Sequence, residues 1–94
     1  RISRDNGMVY KNGRALELSA REFDILCFLS AAPGRVFSRE ELMEQVWGYE
    51  YYGDLRAVDV AIRRLREKVE DQPASPQYIM TKRGMGYYYA GEEA

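Results

Sequence analysis

The segment RAVDVAIRRLREKVE, residues 56–70, constrains the fold of this chain more than any other stretch. An α-helix turns by about 100° per residue, so four of its aliphatic residues fall on one narrow stripe. These residues are Val58, Ile62, Leu65 and Val69. The stripe predicts a helix from residue 55 or 56 to about residue 70 that packs on a core along one side only.

The opposite side of the same helix is basic, although the whole chain has a formal net charge of −1. Five bases lie between residues 56 and 68, against two acids in that interval. A local excess of this kind says more about binding partners than the net charge does. The five bases are Arg56, Arg63, Arg64, Arg66 and Lys68.

Small or apolar residues lie between these bases, at positions expected to face outward. They are Ala57, Val60 and Ala61. On duplex DNA, small side chains would let the backbone approach, a valine methyl can contact the thymine methyl, and an arginine can bind guanine O6 and N7. The alternative is a solvated face on which Asp59 or Glu67 pairs with Arg63 one turn away. The helix alone leaves both interpretations open.

Turn signals divide the first eighteen residues into short strands. Residues 5–7 (Asp-Asn-Gly) and 12–13 (Asn-Gly) are such signals, and Asn-Gly between strand-like residues is typical of a β-hairpin. The strand-like residues are Ile2, residues 8–10 and residues 16–18. This pattern predicts a small antiparallel sheet.

Two capping boxes predict where the first two helices begin. Ser-Ala-Arg-Glu at 19–22 and Ser-Arg-Glu-Glu at 38–41 each place a serine three residues before a glutamate. Pro33-Gly34 is expected to end the first helix, and Gly48 the second. Asp54 is the expected cap of the third.

The last part of the chain predicts a β-hairpin. Residues 78–82 and 87–90 have strand-like composition, with a tight turn at 83–86 between them. Lys82 and Arg83 would lie at the exposed tip, where a base can reach a minor groove or simply face solvent. A helix, a loop and a basic helix followed by a basic hairpin are typical of a winged helix-turn-helix.

The composition argues against several other classes of protein. The chain has no histidine, and no nucleophile and base or pair of carboxylates is placed for catalysis, so we expect no enzyme, cofactor or metal site. Cys27 is the single cysteine and is expected to be a buried thiol. No apolar run approaches the roughly 20 residues of a membrane span. We therefore expect one cytoplasmic domain, residues 1–94, that does not associate with membranes.

The chain resembles the DNA-binding effector domain of OmpR/PhoB-type bacterial response regulators. The resemblance is carried by LSAREFDILCFL (18–29), SREELMEQVWG (38–48), RAVDVAIRRLREKVE (56–70) and YIMTKRGMGYYY (78–89). WGYEYYGDLRAVDV (47–60) is similar to the YycF/WalR-like subgroup. The resemblance implies an α+β winged helix-turn-helix with a four-stranded N-terminal antiparallel sheet, three helices and a C-terminal hairpin wing.

The resemblance also implies roles for individual residues on double-stranded DNA. Arg64 and Val60 would meet base edges in the major groove, and Arg83 would enter the minor groove. Trp47 would pack at the end of the second helix that faces the DNA backbone. The residues implied to hold phosphates are Arg56, Arg63, Arg66 and Thr81.

The C-terminal end of the third helix departs from the pattern of the family. Glu67 stands where many relatives have a base, and an acid there would repel phosphate. The helix is therefore expected to rise out of the groove at this end. Lys68, next to it, is expected to act on all DNA sequences alike, if it acts at all.

The resemblance implies partners besides DNA. Some relatives touch RNA polymerase with the segment 48–55, whose residues here could equally be a tyrosine-rich cover over the core. The candidate residues in this loop are Tyr49, Glu50, Tyr51, Tyr52 and Asp54. Such regulators carry an N-terminal receiver with an aspartate that a sensor kinase phosphorylates, and they bind direct repeats as tandem dimers. Nothing in this chain resembles a receiver, so we expect it to be the output module of a two-component phosphorelay.

Two other functions remain possible from the sequence. The acidic residues between 15 and 50, together with exposed aromatics, would suit a winged helix that binds a protein instead of DNA. RNA binding is the third possibility, but the chain lacks the aromatic stacking platform of single-strand readers.

Overall fold

In the computed structural model, residues 2–3, 7–48 and 53–91 are described, the first two by their backbone alone. Three strands come first: β1 (Ile2–Ser3), β2 (Met8–Lys11) and β3 (Arg14–Leu16). Three helical segments and a final hairpin follow. These are α1 (Ala20–Ser30), α2 (Arg39–Leu42), which continues as a π-turn at Met43–Trp47, α3 (Arg56–Val69), β4 (Ile79–Lys82) and β5 (Gly86–Tyr89).

The N-terminal sheet is antiparallel, as predicted, but the implied four strands are wrong for the described residues. It has three strands in the order β1-β2-β3. The predicted strand at 16–18 is displaced, because β3 ends at Leu16 and Ser19 already caps α1. Asn12 and Gly13 form the predicted hairpin turn, with positive φ at both residues, as a type I′ turn requires.

The predicted helix starts are confirmed. Ser19 accepts from the Glu22 N–H, and the Glu22 carboxylate accepts from the Ser19 N–H. Ser38 and Glu41 make the same reciprocal pair at the start of α2. Because each box satisfies two backbone N–H groups that lie before the first helical turn closes, it sets the helix start locally.

The core lies where α1, α2 and α3 meet the base of the hairpin. The predicted stripe of α3 is entirely buried there. The largest side chains in the core with almost no exposure are Ile25, Leu29, Leu42, Ile62, Leu65 and Ile79. All three helices and β4 therefore depend on one cluster for their relative positions.

The hairpin is attached to the segment between α1 and α2. The backbone groups of Tyr87 and Phe37 exchange two hydrogen bonds of 2.9 Å, and the Gly34 N–H donates to the Tyr89 carbonyl at 2.8 Å. Gly86 has φ +147°, and a Cβ there would lie 1.9 Å from the Phe37 carbonyl oxygen. Only glycine fits this close approach, which lets the base of the hairpin pair with the backbone of Phe37.

Candidate nucleic-acid interface

Helix α3 presents four sides to four different environments. With Arg56 taken as zero, the buried stripe lies at roughly 180–240° around the axis. Asp59 and Arg66 lie at roughly 280–300°, and Ala61 and Lys68 at roughly 120–140°. The remaining sector carries five exposed residues, which we call the outer crest. The outer crest consists of Arg56, Val60, Arg63, Arg64 and Glu67.

The side at 280–300° faces the hairpin. The Tyr87 hydroxyl donates to one oxygen of Asp59 at 2.6 Å, and Arg39 at the start of α2 pairs with the other oxygen at 3.1 Å. Two turns further along α3, the Arg66 guanidinium donates to the Ile79 carbonyl oxygen at 2.9 Å and to Thr81 Oγ1 at 2.7 Å. Burial and the bond to Asp59 raise the pKa of Tyr87 to about 12. This hydroxyl therefore stays a donor throughout the ordinary pH range.

The side at 120–140° faces α1. Lys68 Nζ donates to the buried Glu22 carboxylate at 2.6 Å. Burial raises the pKa of Glu22, but the bonds from Lys68 and Ser19 lower it by more, so the net pKa is below the usual range. Ala61 was expected to face outward and is buried, with 9% exposure. The reason is that α1 covers the flank on which Ala61 lies.

Apart from Arg56, whose guanidinium is bound to Asp54, the side chains of the outer crest have no hydrogen-bond or ion-pair partner in the described parts of the chain. Val60 is 38% exposed, and both Arg63 and Arg64 are exposed. Within the described ranges neither arginine has a hydrogen-bond or ion-pair partner. Neither pair that a solvated face would make with Arg63 forms: the Asp59 carboxylate is occupied by Arg39 and Tyr87, and Glu67 is exposed and makes no ion pair within the described ranges. The guanidinium groups of the consecutive residues Arg63 and Arg64 are thus available to an anionic partner.

The start of α3 is held by Asp54. One carboxylate oxygen accepts the Arg56 backbone N–H at 2.8 Å, and the other accepts the Arg56 guanidinium at 2.6 and 2.9 Å. Leu55 occupies the cap position itself and provides no side-chain bond. Asp54, one residue earlier, takes over the capping role by accepting the N–H of the first helical residue. The Arg56 side chain lowers the pKa of Asp54, and Asp54 raises that of Arg56. The other loop candidates, residues 49–52, lie outside the described residues.

Trp47 lies beside the outer crest. A shallow groove separates it from α3, and the Arg21 guanidinium lies over the Trp47 ring, 4.5 Å from the ring centre. Arg64, from the crest, borders the same groove. The sequence patterns linked neither Arg21 nor Ser19 to this surface. The groove is lined by Ser19, Arg21, Glu22, Trp47, Ala57, Val60, Ala61 and Arg64.

The tip of the hairpin is basic and exposed, as predicted. Lys82, Arg83 and Met85 project from it, and Gly84 supplies the positive φ that closes the turn. Neither base has a hydrogen-bond or ion-pair partner among residues 7–48 and 53–91. Because Thr81 and Tyr87 are bound to α3, the tip stands on the same flank of the molecule as Arg66 and Asp59.

The described part of the chain has no group of His, Cys, Asp and Glu residues that could hold a metal ion. In the same residues, no helix is long and apolar enough to cross a membrane. What the described residues offer is a surface formed by the unpaired bases Arg63 and Arg64 of α3, by Trp47 at the end of the π-turn and by the two bases of the hairpin tip.

Residues 13–89 match the model of the family described as transcriptional regulatory protein, C terminal. The chain belongs to this family. The match covers every element from the end of the first hairpin turn to the last strand. The family is one of transcription regulators and not of enzymes, in agreement with the sequence-based expectation.

Solved structures agree with this assignment. DrrB, a response regulator from Thermotoga maritima described as an OmpR/PhoB homologue, is 39% identical with a TM-score of 0.90; the alignment covers 96% of this chain and 41% of that one. The DNA-binding domain of Bacillus subtilis CssR is 36% identical with a TM-score of 0.83; the alignment covers 95% of this chain and 97% of the CssR domain. The Klebsiella pneumoniae RstA DNA-binding domain, solved in complex with the RstA box, is 38% identical with a TM-score of 0.85. The alignment covers 95% of this chain and 88% of the RstA chain. This chain thus spans about two fifths of DrrB and most of the two isolated domains.

Proposed function

We propose that this domain binds specific sites on double-stranded DNA and thereby regulates transcription. The observation that carries the proposal is the outer crest, where Arg63 and Arg64 are exposed and have no partner among the described residues, on a helix whose other three sides are occupied. The B-DNA major groove is about 12 Å wide and admits an α-helix. The crystal structure of the related RstA DNA-binding domain in complex with the RstA box supports DNA binding by this domain.

In this proposal the exposed residues divide the work. Val60 and Arg64 meet base edges, since a methyl group and a guanidinium can read thymine and guanine. Arg63, Arg56 and Trp47 hold the DNA backbone on the two sides of α3. Arg83 enters the neighbouring minor groove from the hairpin tip, where a thin basic element fits.

Four residues implied to touch DNA have hydrogen-bond partners inside the domain, one of them being Arg56, whose guanidinium is bound to Asp54. Arg66 donates to the hairpin, and Lys68 is paired with the buried Glu22 carboxylate. Thr81 Oγ1 accepts from Arg66, which leaves its hydroxyl hydrogen free for a phosphate. We therefore assign a phosphate contact to Thr81 and give Arg66 and Lys68 a part in holding the fold together.

The biological setting belongs to the same proposal. The domain is the output module of a two-component response regulator in the cytoplasm, and a sensor kinase acts on a separate receiver. It binds direct repeats as a tandem dimer, and the loop before α3 contacts RNA polymerase. Assignment to the YycF/WalR-like subgroup rests on residues 47–60 alone.

A binding titration with random duplex DNA and with a selected site tests the proposal. Each phosphate contact contributes about −0.9 to the slope of log affinity against log salt, so one domain with about five contacts should show a slope of roughly −4 to −6. Arg64→Ala should cost about 1–3 kcal/mol on the selected site and relax its base preference. Arg14→Ala, which removes an exposed arginine from β3, is the matched control and should leave both affinity and preference unchanged.

The protein-binding alternative predicts a different result. Its support is the exposed acidic residues of the second helical segment, Glu40, Glu41 and Glu44. If no duplex is retarded at low salt, or if the affinity does not change with salt, DNA binding is refuted. Tight binding to a protein under the same conditions would then favour the alternative.

A further inference from the structure

Two polar side chains within α3 contact the hairpin, in addition to the Glu70 carboxylate just past the last residue of the helix, which accepts the Ile79 N–H of β4 at 2.8 Å. The first is the Asp59 carboxylate, which accepts the Tyr87 hydroxyl of β5 at 2.6 Å. The second is the Arg66 guanidinium, which bonds to the backbone and side chain of β4 at Ile79 and Thr81. We call these two contacts the clasp. It binds each strand of the hairpin once, at two heights on the same helix.

The geometry of the clasp limits how the hairpin can move. Asp59 and Arg66 are seven residues apart, which is roughly 10.5 Å along the helix axis at about 1.5 Å per residue. The two side chains converge on the hairpin, because Thr81 and Tyr87, which they bind, are paired directly across its two strands; both strands are therefore fixed to α3 at the same level. The Arg66 guanidinium also lies over the Tyr87 ring, 5.6 Å from its centre, so the two contacts support each other.

The clasp also engages α2. Arg39 pairs with the second oxygen of Asp59, and the backbone of Phe37, just before α2, is paired with that of Tyr87. One carboxylate therefore joins the start of α2, the third helix and the returning strand. The Asp59 side chain is 38% exposed, so its bonds to Arg39 and to the half-buried Tyr87 hydroxyl act as charge-assisted hydrogen bonds that favour the arrangement in which all three elements meet.

We propose that Asp59, Tyr87 and Arg66 are positioning residues that set the place of the hairpin tip relative to the outer crest. The inference rests on the proposed DNA function and deepens it. With the clasp intact, Arg83 reaches the minor groove at a fixed distance from the bases read by Val60 and Arg64. The clasp thereby determines the spacing between the two halves of the site that one domain recognises.

Tyr87→Phe is the sharpest perturbation, because the ring and its packing stay and only the hydroxyl is lost. Tyr88→Phe is the matched control, since its hydroxyl has no hydrogen-bond partner in the described part of the chain. Both are combined with Arg83→Ala, and binding to the selected duplex is measured for the single and double variants. This cycle separates positioning of the tip from a general loss of stability.

We expect Tyr87→Phe to weaken binding roughly tenfold, in keeping with the loss of one hydrogen bond to a charged group. In the Arg83→Ala background it should weaken binding less than about twofold, because there is no longer a tip to position. Tyr88→Phe should have no effect in either background. If the effect of Tyr87→Phe is the same with and without Arg83, the positioning role is refuted.

Amide hydrogen exchange without DNA tests the clasp independently of binding. Tyr87→Phe should speed exchange in β4 and β5 and leave the centre of α1 unchanged. Unchanged exchange in the hairpin would overturn the inference. If wild type fails to bind DNA while the variant still opens the hairpin, the proposed function is refuted and the clasp is supported.

Discussion

Glu70, at the C-terminal end of α3, offers a quantitative test of what holds the hairpin to the helix. The residue is 5% exposed, and its carboxylate accepts three consecutive backbone N–H groups. The distances are 2.8 Å from Gln77, 3.0 Å from Tyr78 and 2.8 Å from Ile79. These three groups form the entry to β4, so Glu70 connects the end of one element with the beginning of the next.

Glu70→Gln changes one carboxylate oxygen into an amide nitrogen. The amide NH₂ is a donor and would face N–H donors, so at least one of the three N–H groups loses its acceptor. A hydrogen bond to a charged group contributes about 1.5–3 kcal/mol, and an unsatisfied buried donor costs a similar amount. We expect a loss of about 2–3 kcal/mol in the free energy of unfolding. For a domain of this size that lowers Tm by roughly 10–20 °C.

Urea unfolding followed by circular dichroism measures this change. Glu67→Gln removes a carboxylate of the same helix that is exposed and has no hydrogen-bond or ion-pair partner among the described residues, so it should behave as wild type. A difference of less than about 0.5 kcal/mol between the two variants would show that the three N–H groups find water or other acceptors. The structural account of Glu70 would then be wrong.

Three further predictions follow from the described contacts. Gly86→Ala should unfold the domain or lower its free energy of unfolding by about 3 kcal/mol or more, because the new Cβ would meet the Phe37 carbonyl oxygen. Gly84→Ala is the comparison: a Cβ there has nothing within 4 Å, so urea unfolding should show a cost of only about 1–2 kcal/mol from the positive φ. The stability difference between wild type and Glu22→Gln should be constant above pH 5 and shrink as the pH falls below 4.5, since the pKa of Glu22 is lowered by folding. Wild type should lose stability relative to Tyr87→Phe between pH 10 and about pH 12, because folding raises this pKa; parallel unfolding curves would contradict it.

The sequence predicts correctly those features that depend on interactions between residues close together in the chain. Each capping box at 19–22 and 38–41 lies within four residues, so its hydrogen bonds do not depend on the rest of the fold. The turn at 12–13 and the buried stripe of α3 are local in the same sense. The boundary of β3 was displaced because the choice between pairing in the sheet and starting α1 depends on where the core lies.

The candidate interface shows the same division. Helical periodicity identified the outward bases Arg63 and Arg64, and the turn signals placed Arg83 at a tip. Helical periodicity could not predict that Arg66 and Lys68 have partners inside the domain. The partners of Arg66 lie 13 and 15 residues away in the chain, and the partner of Lys68 lies 46 residues away. Nor did any pattern mark Asp59 as the meeting point of three elements.

By itself, the sequence determined where the helices begin, which side of α3 is buried, and that its opposite side is basic. Those properties follow from capping and from a period of 3.6 residues, which act over a few residues. The tertiary structure decided which of the bases remain unpaired and where the hairpin stands. Periodicity gives the direction of a side chain on its own helix, but the partner in that direction is supplied by a distant segment that only folding brings there.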